Sequence, residues 1–525
     1  MRRTAIFTAA LVLAAAGLVA APALAKTAHA KSAHAIAGID PARASIGELQ
    51  AALSDGRLTS EALTRFYLAR IARLDRAGPT LRAVIAVNPN ALAQARALDR
   101  ERRLHGARGP LHGVPILVKD NIETADLPTT AGSLALAANL SGQDAPVVAR
   151  LRAAGAVILG KTNLSEWANF RSQRSISGWS AVGGLVKNPY ALDRSACGSS
   201  SGSAAAVAAG LAAAAVGSET DGSVTCPSSM AGLAGLKPTH GALPIARIVP
   251  ISHSQDTPGP IARSVADAAL LFDVMAGRPY AAPDGALKGV RLGVLHFADG
   301  AEPETDYAYA TALARLKAAG AVLVEVSLPD EAPIDHAEGI VLDTEFKADL
   351  NAYLAAAPAA VKTRTLAGLI AFNAASPDEM ALFGQDTFLA AQKTDGLDDR
   401  DYQKALADSR RLAGPEGIDK LLADHELDAL VAPTTGTAWR IDLINGDHSP
   451  SSFSTFPAVA GYPHLTVPMG LVKGMPVGLS FIGTAGADDK VLALGEAFER
   501  TGPGFIAPTF AASLDPDLTP RPAKP

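Results

Sequence analysis

Cysteine is nearly missing from this chain, with two residues in 525. Two cannot build the framework of a small disulfide knot or a four-ligand zinc centre. Aromatic residues are scarce as well, at 15 Phe, 8 Tyr and 3 Trp. Small apolar side chains must therefore carry the packing, as in Ala-rich helices laid against a sheet. Basic charge has no excess, since 47 Lys and Arg stand against 52 Asp and Glu. A nucleic-acid surface needs that excess to neutralise phosphates. No repeat of fixed period is present, which excludes a solenoid. The eleven His show no HExxH or other metal-ligand spacing, and no Gly-Lys-Ser/Thr closes a glycine-rich loop. With 48% hydrophobic and 19% charged residues the chain can bury a large core. Its length allows two to four domains or one very large one. A collagen and a polytopic membrane protein are excluded.

Residues 1–25 have the tripartite form of a secretory signal: Arg2 and Arg3, an apolar run from Ala5 to Ala21, and Ala23-Leu24-Ala25 before Lys26. Cleavage after Ala25 is expected, which makes the remaining chain slightly more negative and its compartment periplasmic or extracellular. An uncleaved anchor is the alternative reading of the apolar run. The paired arginines leave Sec and twin-arginine export both open. Residues 26–42 read as a flexible lead-in, and 511–525 as a C-terminal tail.

Between them, helical and extended patterns alternate. Thr59-Ser60 opens a helix, with Leu63, Phe66, Tyr67, Ile71 and Leu74 at helical spacing. A second helix covers about 90–103. Gly113 to Lys119 reads as a short buried strand, Val147 to Ala154 as a helix and Ala156 to Gly160 as a strand. Later come strands at Gly289 to Leu295 and Val322 to Val326 around a helix at 307–319. This order predicts an α/β protein with helices on a largely parallel core sheet. Residues 330–425 are helical and more polar, in the manner of an insertion or cap.

The stretch 195–241 is the informative one. Ser199-Ser200-Ser201-Gly202-Ser203 precedes an Ala-rich helix at about 204–215, and a second small-residue loop, Gly217 to Ser223, follows. Such loops can aim several N–H groups at one spot and hold a negative oxygen. An apolar helix between the two argues against a linker. Neither Ser199 nor Ser223 is framed as Gly-x-Ser-x-Gly, which argues against that type of serine hydrolase.

These residues, with Asp221-Gly222-Ser223 and Gly235-Leu236-Lys237-Pro238-Thr239, resemble the amidase signature. Upstream, Gly113-Val114-Pro115 and Val118-Lys119-Asp120 match the family's lysine motif. Downstream, Tyr462 to Pro468 and Pro476-Val477-Gly478-Leu479 match its C-terminal pattern. The resemblance spans about 45–505. Segments 163–170 and 193–198 look most like bacterial peptide amidases. It implies a single amidase domain over 43–510, an α/β/α layered fold around a large mixed central sheet, and no cofactor or metal.

Carried onto this sequence, the resemblance implies a Ser–cis-Ser–Lys triad. Ser223 would be the nucleophile, Ser199 the bridging serine behind a cis Gly198–Ser199 bond, and Lys119 the base. The backbone N–H groups of Thr220, Asp221, Gly222 and Ser223 would form the oxyanion hole. The chemistry needs such a trio, because a serine hydroxyl attacks an amide only when a base takes its proton. Lysine is that base only when neutral, so its pKa must fall from about 10.4 to roughly 7–8, which burial accomplishes. The chain departs from many relatives at Asp221 (Gly or small apolar), Ser201 (Gly) and Thr225 (Arg). Thr225 should make the site less polar behind the nucleophile.

Cys197 and Cys226 each lie within three residues of a proposed catalytic serine. Two buried thiols are expected, although an oxidising compartment would permit a disulfide. His240, His253 and His464 are expected to satisfy local hydrogen bonds. Asp256 reads equally as a structural turn or as a neighbour of the site. The expected reaction is carboxamide hydrolysis through an acyl-enzyme with release of ammonia, on a C-terminal peptide amide. A general aliphatic or aryl amidase and an oligoamide hydrolase are the alternatives, and a non-catalytic periplasmic peptide-binding protein is a further one. Expected partners are an amide substrate, no nucleic acid and no membrane after signal cleavage; the oligomeric state is open.

Overall fold

The structure is a computed structural model that describes residue 36, residues 38–298 and residues 300–515. The leader expected over 1–25 lies outside these residues. The first strands along the chain are β1 (Val84–Val87), β2 (Pro115–Lys119), β3 (Val157–Thr162), the short β4 (Trp179–Ser180) and β5 (Gly184–Leu185), and β6 (Ala214–Glu219). They are followed by β7 (Ala234–Lys237), β8 (Thr257–Ala262), β9 (Arg291–Val294), β10 (Val322–Glu325), β11 (Ala429–Pro433), β12 (His464–Val472) and β13 (Met475–Ile482). Eleven form one sheet in the order β1-β3-β2-β6-β8-β7-β12-β13-β11-β9-β10, while β4 and β5 pair apart.

The sheet is mixed, as the family resemblance implies, and not largely parallel as the alternation alone suggests. Parallel pairing is confined to two wings, β3-β2-β6 and β11-β9-β10. The strands between and beside them pair antiparallel. Parallel neighbours need long crossovers, whereas antiparallel ones can be joined by a tight turn. Val472 pairs with Met475 across Lys473-Gly474, both left-handed (φ 49° and 88°), the twist a two-residue hairpin requires.

Helices cover the sheet. Thr59 caps the helix Ser60–Arg70 through its side chain, and the next helix runs Ala91–His105. The Ala-rich helix expected at 204–215 is shorter and earlier, Ser201–Ala208. It stops before Gly210, which is left-handed (φ 64°), and residues 214–219 become β6. That segment sits between β2 and β8 with every residue buried, so pairing on both edges outweighs the helical propensity of its alanines. The helix itself is buried on all sides against β1, β2, β3, β6 and β8. Small side chains permit that close approach, which accounts for the scarcity of aromatics.

Residues 330–425 carry five α-helices, Ala332–Ala356, Leu366–Ala375, Asp386–Gln392, Arg400–Ala413 and Lys420–Asp424, the last two joined by the π-helical turn Gly414–Asp419. Phe346, Leu350, Leu369 and Phe388 build a core there that also takes in Trp167, Val249 and Ile251 from the main body. Fully buried Arg171 joins the two parts. Its guanidinium pairs with Glu166 and with Glu379 (3.3 Å) and lies over the Phe383 ring. At the ends of the described chain, Ala42 is buried and the Pro41 carbonyl accepts a bond from Tyr67 (2.8 Å). Asp515 pairs with Arg194 and Arg440. The end of the lead-in and the start of the tail are therefore docked. Among the described residues no helix is long and apolar enough to cross a membrane.

Candidate active site

The site forms at the C-terminal ends of β2 and β6, which run parallel with Val118 against Val216. Lys119 ends β2, a strand buried along its whole length, and is itself 0% exposed. Its Nζ donates to Ser199 Oγ (2.8 Å), the Ser218 carbonyl (3.0 Å) and Ser218 Oγ (3.0 Å). Three acceptors meet the three N–H bonds of an ammonium, but none is a carboxylate. Burial pushes the lysine down to about 7, against the weaker pull of the Asp256 and Glu219 charges.

Ser199 lies just before the helix Ser201–Ala208, and the Gly198–Ser199 peptide bond is cis. The Ser199 carbonyl accepts from the Ser165 N–H (3.1 Å), so the segment 163–170 holds this serine. Ser200 fastens the loop to β6. Its hydroxyl donates to the Ser218 carbonyl (3.1 Å) and accepts from the Ser218 N–H (3.2 Å). Gly202 is required here because a Cβ would stand 2.3 Å from the Ala83 carbonyl oxygen.

Ser223, 8% exposed, follows Gly222, whose left-handed φ of 72° turns the second loop. Buried Glu219 closes that loop by accepting from the N–H groups of Val224 (2.6 Å) and Thr225 (2.9 Å). Among the described residues the four N–H groups between, from Thr220 to Ser223, donate to nothing. Four uncommitted donors in a row are what an oxyanion hole requires. Asp221 leaves its own N–H free, and burial raises its carboxyl to about 6. Thr225 is also buried and serves Glu219 with its N–H and hydroxyl.

The two serine loops are tied by the Ser200 N–H donating to the Ser223 carbonyl (3.1 Å). No side-chain hydrogen bond joins Ser223 to Ser199 or Lys119 among the described residues. A covalent link also holds the loops. Contrary to the expectation of two thiols, Cys197 and Cys226 form a disulfide. A left-handed turn at Cys197 (φ 53°) and the helix Thr225–Met230 bring their Cα atoms to 6.1 Å, within bridging range.

Asp256 proves to be both turn and neighbour. It accepts from the Thr220 hydroxyl (2.6 Å) and from the N–H groups of Ile251 (2.8 Å) and Ser252 (3.1 Å), and burial raises its carboxyl to about 6. His464 bonds Ser480 (2.6 Å), with burial pushing it down to about 3. A ring nitrogen of His240 lies 3.0 Å from the His253 carbonyl. His253, Glu345 and Asp349 form a cluster that could in principle hold a metal. The two ring nitrogens of His253, however, turn to different carboxylates, Asp349 at 2.9 Å and Glu345 at 3.5 Å. Ser218, Glu219 and Asn121 are supporting residues that the sequence reading misses. Their only signal is position, Asn121 next to the lysine motif and Ser218 and Glu219 inside the second loop, which acquires meaning once β2 and β6 are known to be neighbours.

Known proteins resemble this chain over most of its length. The amidase family profile matches residues 62–492. A probable amidase of Arabidopsis thaliana is 40% identical over 501 residues, covering 88% of this chain and 92% of its own. The native peptide amidase of Stenotrophomonas maltophilia is 50% identical with a TM-score of 0.82, over 89% of this chain and 98% of that one. A peptide amidase solved with the competitive inhibitor chymostatin superposes with a TM-score of 0.85 at 50% identity, over 90% and 100% of the two chains. The chain belongs to the amidase family and is an enzyme that hydrolyses carboxamide C–N bonds.

Proposed function

We propose that the protein hydrolyses C-terminal peptide amides to the free acid and ammonia, with Lys119, Ser199 and Ser223 as its catalytic residues. The observation that carries the reading is a fully buried lysine, held near 7, bonded to Ser199 and in contact with no carboxylate among the described residues. At neutral pH and above, Lys119 takes the proton of Ser199, which takes that of Ser223. The Ser223 oxygen attacks the amide carbon, and the new oxyanion is received by the N–H groups of residues 220–223. Each such donor typically contributes about 2.7–4 kcal/mol of barrier lowering. Collapse breaks the C–N bond, and Ser199 hands the departing nitrogen its proton. Water then releases the acid by the reverse route.

The substrate class is supported by the 50% identity to two peptide amidases over nearly the whole chain. A panel tests it: dipeptide amides, peptides with a free glutamine side chain, an anilide, a short aliphatic amide and an internal peptide bond. Ammonia release and product mass are read for each. Deamidation of the terminal amide alone is expected. Better turnover of the anilide or aliphatic amide than of any peptide amide would leave only the general amidase reading. Work outside the cytoplasm belongs to the same proposal and rests on residues 1–25. The Cys197–Cys226 bridge suits an oxidising compartment. N-terminal sequencing of the chain recovered from the cell exterior or periplasm should begin at Lys26.

A further inference from the structure

Beside the two loops lies a small cavity of about 10 Å³, lined by Asn121, Ser199, Ser218, Thr220 and Asp256 on its polar side. Ile251 is among the apolar residues that close it, and Ser223 is not in its wall. That volume is at the lower limit for a single water-sized molecule. Asn121 is buried, and its Nδ2 donates to Ser218 Oγ (2.8 Å), the hydroxyl that also receives Lys119. Its Oδ1 has no hydrogen-bond partner among the described residues. A buried carbonyl oxygen without a donor is unfavourable unless something visits it. The visitor must be small, must carry N–H or O–H donors, and must be reachable from Ser199.

We infer that this cavity is the holding site for the ammonia released at Ser199, and that its size confines the reaction to unsubstituted amides. The inference rests on the amide-hydrolysis reading and on Ser199 as the proton donor to the leaving nitrogen. As the C–N bond breaks, the electron pair stays with nitrogen, Ser199 supplies the third hydrogen, and neutral ammonia forms. One of its N–H bonds then meets Asn121 Oδ1. Water, of the same size and also a donor, can enter as ammonia leaves. A methyl on the nitrogen would add a second heavy atom, for which the cavity has no room.

The test compares a primary amide with its N-methyl amide in the full chain and in Ile251→Ala, with Ile251→Val as a milder variant that keeps the fold. The wild type should strongly prefer the primary amide. Enlarging the cavity should improve the N-methyl to primary ratio of kcat/KM by roughly tenfold or more in Ile251→Ala and by less in Ile251→Val. Separately, turnover in ¹⁵N-ammonium reads capture of the acyl-enzyme by ammonia, as label returned to unreacted substrate. Asn121→Leu should lower labelling relative to hydrolysis. Unchanged or raised labelling relative to hydrolysis would overturn the ammonia assignment, a rise assigning the cavity to water alone. An unchanged ratio in folded Ile251 variants would overturn the size argument. Failure of the wild type to hydrolyse any primary amide would instead sink the functional reading beneath it.

Discussion

Two buried lysines lie at or near the ends of neighbouring strands in one wing of the sheet, yet their surroundings are opposite in kind. Lys119 closes β2 and Lys161 lies near the end of β3, one residue along in register, with Val118 against Lys161 and Lys119 against Thr162. Both are 0% exposed, and burial lowers both. Their partners differ. Lys161 faces the Asp120 carboxylate at 3.0 Å and the Thr129 hydroxyl at 2.8 Å, and Asp120 also accepts from the Thr130 N–H and hydroxyl. Lys119 faces two hydroxyls and a carbonyl. A carboxylate in contact stabilises the ammonium and makes the lysine a structural cation, whereas neutral acceptors let desolvation prevail. Strand, burial and residue type are shared, so the partner decides which lysine can act as a base.

The largest effects should separate the two by kind. Ser223→Ala should abolish turnover with the fold intact. Lys119→Ala and Ser199→Ala should each cost orders of magnitude in kcat, with strongly non-additive losses if the three act as the unit proposed above. Wild-type-like activity in either would remove the base or the bridge from its role. Lys161→Met should act first on stability, since it leaves Asp120 buried and unpaired, at about 3–5 kcal/mol. Adding Asp120→Asn should recover most of that loss in thermal melts. If Lys161→Met melts like the wild type, the ion pair is not what distinguishes the two lysines.

Much of this was legible beforehand, for reasons that lie in particular residues. Ser199 and Ser223 sit in two loops whose spacing is set by the helix and β6 between them, and Lys119 sits in a separate motif that ends β2. Burial of Lys119 follows from the apolar run Ile116-Leu117-Val118. The boundary of the Ala-rich helix did not follow, because alanine suits helix and buried strand alike, and only pairing with β2 and β8 decides for β6. The disulfide did not follow either, since nothing local reveals that Cys197 turns left-handed toward Cys226. The parallel character of the sheet was overread because alternation reports crossovers but not the antiparallel strands inserted between the wings. Asn121 and Ser218 carry no motif, and their roles exist only across strands.

A smaller effect sharpens the contrast through stability. Lys119 falls from 10.5 to about 7 on folding, so the unfolded chain binds its proton more tightly. This destabilises the fold progressively as pH drops from above 10.5 to 7 and is constant below. The full penalty is on the order of 5 kcal/mol at most, before the lost hydrogen bonds of any variant are counted. Lys119→Met should therefore melt higher relative to wild type at pH 6.5 than at pH 9.5. A difference independent of pH would mean that Lys119 is not held neutral.

The smallest effect concerns the acid limb of kcat/KM, which should fall near pH 7 if neutral Lys119 is the base. His464, held down to about 3, cannot supply that limb. Asp256 titrates close by, at about 6, and its negative charge raises Lys119. Asp256→Asn removes that charge, disfavours the ammonium and makes the base available at lower pH. The limb should move to the acid side by a fraction of a unit, whatever happens to its height. Were ionised Asp256 itself the required base, the same substitution would abolish the limb instead of moving it. A shift toward higher pH would contradict the sign of the interaction. Position and height of the limb thus read the two groups separately: position reports the charge beside Lys119, and height reports the loop that Asp256 ties to Thr220.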